Sequence, residues 1–240
     1  DLPTITGPIS SKEVRLHNDW KSAQQFTTKP VKITLPGPMT ITDSIANNYY
    51  DDLKKLGFDF AMALNKEIKA LVDAGCQYIQ VDEPVFARKP EAAIEYGMEN
   101  LERTLHGIPK EVQRVCHICC GYPNSLDSEA YKKADTDAYD KIADLIDESS
   151  IDEVSLEDAH RHNNLALLEK FKKTKVIFGF IDIAKSRMET VDEVRSRIKN
   201  SLEHIDYNRL IVAPDCGLGF FTREQAIEKM TIMSNAAKSI

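Results

Sequence analysis

The run Val115-Cys116-His117-Ile118-Cys119-Cys120 closes a short apolar stretch and sets a histidine and a thiol two residues apart. In an extended chain, positions two apart point to the same side, so His117 and Cys119 address one point together. An imidazole and a thiolate there make half of a tetrahedral zinc site. His-x-Cys alone is a common accident, so the other half must come from elsewhere in the fold. Cys216, in Pro214-Asp215-Cys216-Gly217 at the end of the last apolar run, offers a second thiolate, and the glycine after it leaves room near an ion. Glu157 closes an intervening run and offers a carboxylate. Two thiolates, an imidazole and a carboxylate suit Zn²⁺ better than Mg²⁺ or Ca²⁺, which prefer all-oxygen shells. Zinc has no redox chemistry, but it holds a thiol as thiolate near neutral pH, and the thiolate is the nucleophile. The chemistry expected is attack of a bound thiolate on an alkyl donor, with Glu157 as the ligand free to loosen when the thiol arrives.

A second constellation is Asp82-Glu83-Pro84. Two acids at a strand end, stiffened by proline, can pair with a substrate ammonium; the bland alternative is a solvated acidic strand end. Arg88, six residues beyond Asp82, reads either as a surface charge or as a clamp for an anionic group. His160 and His162 follow the strand that carries Glu157, in a segment leading into a helix. A solvated or capping role is expected of them ahead of metal ligation. Of the five cysteines, Cys76 and Cys116 read as buried core thiols, and Cys120 faces away from Cys119 toward a helix.

Parallel strands and helices must position these groups. Apolar runs at Val31–Leu35, Tyr78–Val81, Val115–Cys119, Glu153–Leu156, Val176–Ile181 and Leu210–Ala213 alternate with amphipathic stretches. Several runs are apolar at consecutive positions, as in strands covered on both faces. Leu53, Leu56, Phe60, Leu64, Ile68 and Leu71 recur at helical spacing, with Gly75 as the closing cap. Further helices are expected over Glu91–Leu105, Ala130–Ile146, Leu165–Lys172, Val191–His204 and Thr222–Ala237. Strand-then-helix repetition makes parallel strands with right-handed crossovers. Six such units, preceded by a polar lead-in, fit an open doubly wound sheet, or an eight-stranded α/β barrel whose first two units lie upstream of residue 1. Reactive or turn-forming residues end nearly every run, as on the catalytic face of a barrel. One domain, 1–240, is expected, since no repeat or linker interrupts the chain.

Composition excludes several classes. A net charge of −7 over 240 residues argues against nucleic acid, whose binding depends on Lys and Arg neutralising phosphates. No apolar run approaches the roughly 18 to 20 residues that cross a bilayer. An odd cysteine count without a signal-peptide pattern reads as reduced thiols, hence a cytoplasmic protein. A homo-oligomer is compatible with all of this.

In combination and in order, the motifs Leu35-Pro36-Gly37-Pro38-Met39-Thr40, Val81-Asp82-Glu83-Pro84, His117-Ile118-Cys119, Val154-Ser155-Leu156-Glu157 and Pro214-Asp215-Cys216-Gly217-Leu218 resemble the cobalamin-independent methionine synthase family. The resemblance covers the whole chain and lies in that family's C-terminal catalytic barrel. It implies a (β/α)₈ barrel of the methionine synthase/uroporphyrinogen decarboxylase type, here without its first two βα units. It implies zinc on His117, Cys119, Glu157 and Cys216, and Asp82 on the amino group of homocysteine.

Three departures concern the methyl donor. Ser44 stands where the family carries a tryptophan that stacks on the folate pterin. Arg88 replaces an acid that grips the pterin, and Ala184 a histidine thought to assist proton transfer. The zinc side is intact. The related epoxyalkane:coenzyme M transferases show a similar Tyr49-Tyr50 helix start and Gly121-Tyr122 after the His-x-Cys strand. The leading expectation is a zinc-dependent methyltransferase making methionine from homocysteine with folate or another donor. The alternative is a zinc thiol alkyltransferase of the coenzyme M type. A metal-free decarboxylase-like or non-catalytic barrel comes last.

Overall fold

The computed structural model of the chain describes residues 2–128 and 132–240. The chain falls into two compact units, one running through His117 and taking in Glu148–Asp152, the other holding Ile118–Asp147 and Glu153–Ile240.

The first unit contains, in chain order, β1 (Thr4–Ile5), α1 (Leu16–Gln24), β2 (Lys32–Pro36), α2 (Pro38–Ser44), β3 (Ala46–Asn47), α3 (Leu53–Asp73) and β4 (Tyr78–Asp82). The short helices α4 (Val85–Arg88) and α5 (Pro90–Ala92) follow, then a π-helical turn (Ala93–Gly97), α6 (Met98–Thr104) and β5 (Gln113–Ile118). Strands β2, β4 and β5 are parallel neighbours in that order, and their register puts Pro36 level with Asp82 and Asp82 level with His117. The three C-terminal strand ends therefore present their polar residues on one rim. Helix α3 forms as its periodicity demands. Asp52 caps it by accepting from the Lys54 N–H, and Leu56, Ala61, Ile68 and Leu71 are buried. Burial of each large aliphatic chain stabilises by about 1.5–3 kcal/mol. Gly75, at φ +102°, ends it in the left-handed conformation.

The polar lead-in before residue 31 carries α1, which packs Trp20 into the core, the indole N–H donating to the Val31 carbonyl at 3.0 Å. The helix expected over Glu91–Leu105 forms as one helical stretch from Pro90 to Thr104, with a π turn at Ala93–Gly97 inside it. There Gly97 packs so closely that a Cβ would stand 2.8 Å from both Met39 Sδ and Phe86 Cε1.

The second unit begins in the last residue of β5 and contains α7 (Ala138–Glu148) up to Asp147, β6 (Glu153–Leu156), a 3₁₀ helix (Leu165–Lys170), β7 (Lys175–Ile181) and α8 (Val191–Ser201). A 3₁₀ turn (Tyr207–Arg209), β8 (Leu210–Pro214) and α9 (Arg223–Lys238) complete it. Strands β6, β7 and β8 are parallel neighbours, with a register irregularity between Gly179 and Ile181. Capping boxes start α8 (Thr190 with Glu193) and α9 (Thr222 with Gln225). The helix expected from Ala130 starts at Ala138, and Ala130 itself lies outside the described residues. The stretch before α7 bonds elsewhere: Ala134 donates its N–H to the Cys120 carbonyl, and its own carbonyl accepts from Arg161. Leu165–Lys172 forms the short 3₁₀ helix in place of an α-helix, enough to bury Leu167 and Leu168. Among the described residues no helix is long and apolar enough to cross a membrane.

Candidate metal centre

His117 is the last residue of the first unit, and Cys119 follows two positions later, just past the end of β5. Cys216 follows β8 by two residues. The ligand atoms of His117, Cys119 and Cys216 all lie within 4.8 Å of one another. His117 and Cys119 are buried, and Cys216 is partly open. The strand period that predicts a shared direction for His117 and Cys119 is thus realised, and the fold brings the distant thiol to them. The Cys119 thiol is pushed well above its ordinary range by its hydrogen bond with Cys216, by burial and by the nearby charge of Glu157. Without a cation, this pocket disfavours thiolates.

Glu157, one residue past β6, is not among the three groups within 4.8 Å, but it is held beside them. Its Oε2 accepts from the Cys120 N–H at 2.7 Å. The buried Tyr139 hydroxyl donates to the Ile118 carbonyl at 2.8 Å and accepts from the Glu157 N–H at 3.2 Å, so α7 ties the end of β5 to the end of β6. Burial, reinforced by the charge of Asp215, raises Glu157 to about 8. Its other oxygen, Oε1, is buried and has no hydrogen-bond partner. A carboxylate oxygen left so costs on the order of 1–3 kcal/mol. The donor set of two thiols, an imidazole and this oxygen fits zinc.

Asp215, immediately before Cys216, is fully buried and organises the surrounding turn. Its Oδ1 accepts from the N–H groups of Asp158 and Ala159, each at 2.8 Å, and its Oδ2 from the His160 N–H at 2.9 Å. The His160 ring adds an Nδ1 contact to Oδ2 at 2.7 Å. Burial raises Asp215 to about 6, against the pull of these donors. His160 is therefore not the solvated loop residue expected, since its side chain is only 5% exposed and Asp215 draws it inward. His162 does fit that expectation, at 61% exposure. In the sequence Asp215 reads only as part of a turn. Gly179, inside β7, was the available signal, because a Cβ there would stand 1.9 Å from Asp215 Oδ1.

Tyr122 also escaped a role. Its hydroxyl donates to the Gly217 carbonyl at 2.9 Å and its ring stacks on Phe220 at 5.2 Å, pinning the loop after Cys119 to the loop after Cys216. Cys120 is buried beside Tyr139, and Cys76 and Cys116 are core thiols, as expected.

In the first unit, Asp82 is half-buried at the rim, level with His117, and accepts from the Gln80 amide at 2.7 Å. Glu83, expected beside it as a substrate contact, points into the protein instead. It is fully buried and accepts from the Met39 N–H, the Thr40 N–H and the Thr40 hydroxyl at 3.0, 2.8 and 2.6 Å. It thereby anchors the start of α2, and Gly37 leaves the space, since a Cβ there would meet Glu83 Cδ at 2.2 Å. Burial raises Glu83 to about 7. Arg88 is exposed at the end of α4. Ser44 is exposed, its hydroxyl donating to the Thr40 carbonyl, and Ala184 is buried.

Residues 2–239 match the family model described as the catalytic domain of cobalamin-independent synthase. Curated relatives include methionine synthases of Saccharolobus solfataricus and Thermococcus kodakarensis, each 30% identical. The first match covers 99% of this chain and 67% of the relative, the second 94% and 62%. Other curated relatives are spanned to 59–63% of their length. Among solved structures, a B12-independent methionine synthase from Shewanella sp. W3-18-1 in complex with selenomethionine is 31% identical with a TM-score of 0.89, over 99% of this chain and 70% of that one. A methyltransferase from Methanosarcina mazei shares the fold at 16% identity, TM-score 0.67, over 93% of this chain and 64% of that one. The parallel strands, with reactive residues at their C-terminal ends, accordingly have the α/β-barrel fold of these proteins. The chain belongs to the cobalamin-independent synthase catalytic-domain family.

Proposed function

We propose that the chain is the catalytic domain of a zinc-dependent thiol methyltransferase that converts homocysteine to methionine. The observation that carries this reading is the convergence of His117, Cys119 and Cys216 within 4.8 Å, beside the partnerless Oε1 of Glu157. These four residues would hold zinc, which when bound supplies a Lewis acid that keeps the substrate sulfur as thiolate near neutral pH.

The chain's own residues do the rest. Asp82, level with His117 on the rim, takes the substrate ammonium and so directs the thiol toward the ligand cluster. Glu157 would be a weakly committed ligand for that ion: its Oε2 accepts from the Cys120 N–H, which keeps the carboxylate anchored whether or not Oε1 is engaged. The sulfur then forms its bond to the methyl carbon as the donor's bond to that carbon breaks, and the thiol proton goes to solvent. The selenomethionine held by the Shewanella relative is the selenium analogue of the product this reading requires. Five cysteines free of disulfides fit a reducing compartment such as the cytoplasm.

The position of Asp82 favours an ammonium-bearing thiol over a sulfonate-bearing one such as coenzyme M, which calls for cations. The donor is a folate or another methyl carrier. Exposed Ser44 and buried Ala184 offer neither a stacking ring nor a titratable group on that side.

The test is zinc content with the zinc X-ray absorption spectrum, recorded for the full-length protein alone, with homocysteine and with coenzyme M. One zinc per chain, whose shell gains a sulfur with homocysteine only, supports the proposal. A sulfur gained with coenzyme M only transfers it to the epoxyalkane type of chemistry, and absence of zinc after purification without chelator overturns it.

A further inference from the structure

Among the described residues of the second unit, His160 has a ring nitrogen that is buried and left over. Its Nδ1 is engaged by Asp215 Oδ2 at 2.7 Å, and its Nε2 is buried without a hydrogen-bond partner. That nitrogen lies 3.7 Å from Glu157 Oε2, too long for a hydrogen bond but within ion-pair reach. The opposite oxygen, Glu157 Oε1, is also buried and partnerless. Two orphaned polar atoms in one pocket carry a cost that function must offset. Of the two carboxylate oxygens, Oε2 accepts from the Cys120 N–H and lies 3.7 Å from the imidazole, whereas Oε1 has no hydrogen-bond partner.

We propose that His160 is a positioning residue for Glu157: backed by Asp215, its ring holds Oε2 so that Oε1 alone is offered to the metal. The inference rests on the metal reading above. Asp215 precedes the thiol Cys216, so Asp215, His160 and Glu157 link two candidate ligands of different strands through one ring. With an N–H on each ring nitrogen, Nδ1 donating to Asp215 and Nε2 directed at Glu157, the 3.7 Å gap closes to a hydrogen bond with a shift of about 0.7 Å. Asp215 accepts from three backbone N–H groups besides the ring, so it is not free to follow His160 elsewhere. A residue that acts in this way sets metal affinity without being a ligand, typically by 10–100-fold.

Two substitutions separate the ring's two nitrogens. His160→Asn keeps an amide nitrogen near the place of Nδ1 and loses the reach to Glu157. His160→Gln keeps one near the place of Nε2 and loses the Asp215 contact. Zinc affinity is measured for the full-length protein by competition with a chromophoric chelator, and thermal unfolding of the zinc-free forms is followed alongside. The expected result is a loss of at least about tenfold in zinc affinity for His160→Asn, with His160→Gln within about threefold of wild type. In a Glu157→Gln background, His160→Asn should cause no further loss, because its effect passes through that carboxylate. Undiminished zinc affinity in His160→Asn overturns the proposal. So does the same loss with Glu157 replaced, or a loss in both variants that tracks their unfolding temperature. A wild-type protein that takes up no zinc removes the metal reading itself, and this inference with it.

Discussion

A Cβ on Gly179 would stand 1.9 Å from Oδ1 of Asp215 and 2.9 Å from its Cα. The middle of β7 is thus hollowed to admit the carboxylate that accepts from the turn after β6. Gly179→Ala should force Asp215 out of its bonds with Asp158, Ala159 and His160. Overpacking of this kind costs about 1–3 kcal/mol, and the displaced bonds add to it. Urea unfolding measures the loss, which should be accompanied by weaker zinc binding. A variant as stable as wild type would mean that the turn does not depend on Asp215.

Replacing Cys216 or Cys119 with serine should abolish stoichiometric zinc, since a hydroxyl is a poor substitute for a thiolate at such a site. Cys120→Ser is the control, because that side chain packs beside Tyr139. Elemental analysis decides, and full zinc retention in Cys216→Ser refutes the ligand set.

Asp82→Asn should leave zinc in place and weaken homocysteine binding by about tenfold or more, the worth of one charge-assisted contact. Calorimetric titration of both proteins with homocysteine makes the comparison. Unchanged affinity would show that Asp82 does not receive the ammonium.

Glu83 makes stability pH-dependent in a direction opposite to the usual acid effect. Its folded value of about 7 lies above the ordinary 4.5, so between these limits the folded chain holds a proton that the unfolded chain has released. Stability conferred by that proton is full below about pH 4.5 and is lost as pH rises through 7, a swing on the order of 3 kcal/mol. Glu83→Gln has no such proton, so wild type should lose ground to it between pH 5 and pH 8 in urea unfolding. Parallel stability profiles of the two proteins would contradict this.

Arg197 forms a forked pair with the fully buried Asp158, at 2.7 and 2.8 Å. Arg197→Ala leaves that carboxylate with only the Asn163 and His162 contacts and should destabilise by about 3–5 kcal/mol. Chemical unfolding tests it; a loss under about 1 kcal/mol would mean water replaces the guanidinium at this site.

The sequence by itself determined the parts that rest on local periodicity and on residue type. Apolar runs mark β2 and β4 to β8, though not the two-residue β1 and β3, because a strand covered on both faces has no polar side, and β6 spans the very residues expected, Glu153–Leu156. His117 and Cys119 were legible as a pair because the strand period is two. Cys216 and Glu157 were legible because each ends a strand in a fold that gathers such ends. What the residues after a strand do is set by tertiary contacts, since no period governs a loop. That is why His160 reads as a solvated histidine and proves buried. It is also why Asp82 and Glu83, adjacent and alike, part company: Asp82 stays on the rim, while Glu83 turns in to the N–H groups of Met39 and Thr40. Only the tertiary structure decided those roles, because a buried polar group must go wherever the packed chain leaves its donors and acceptors.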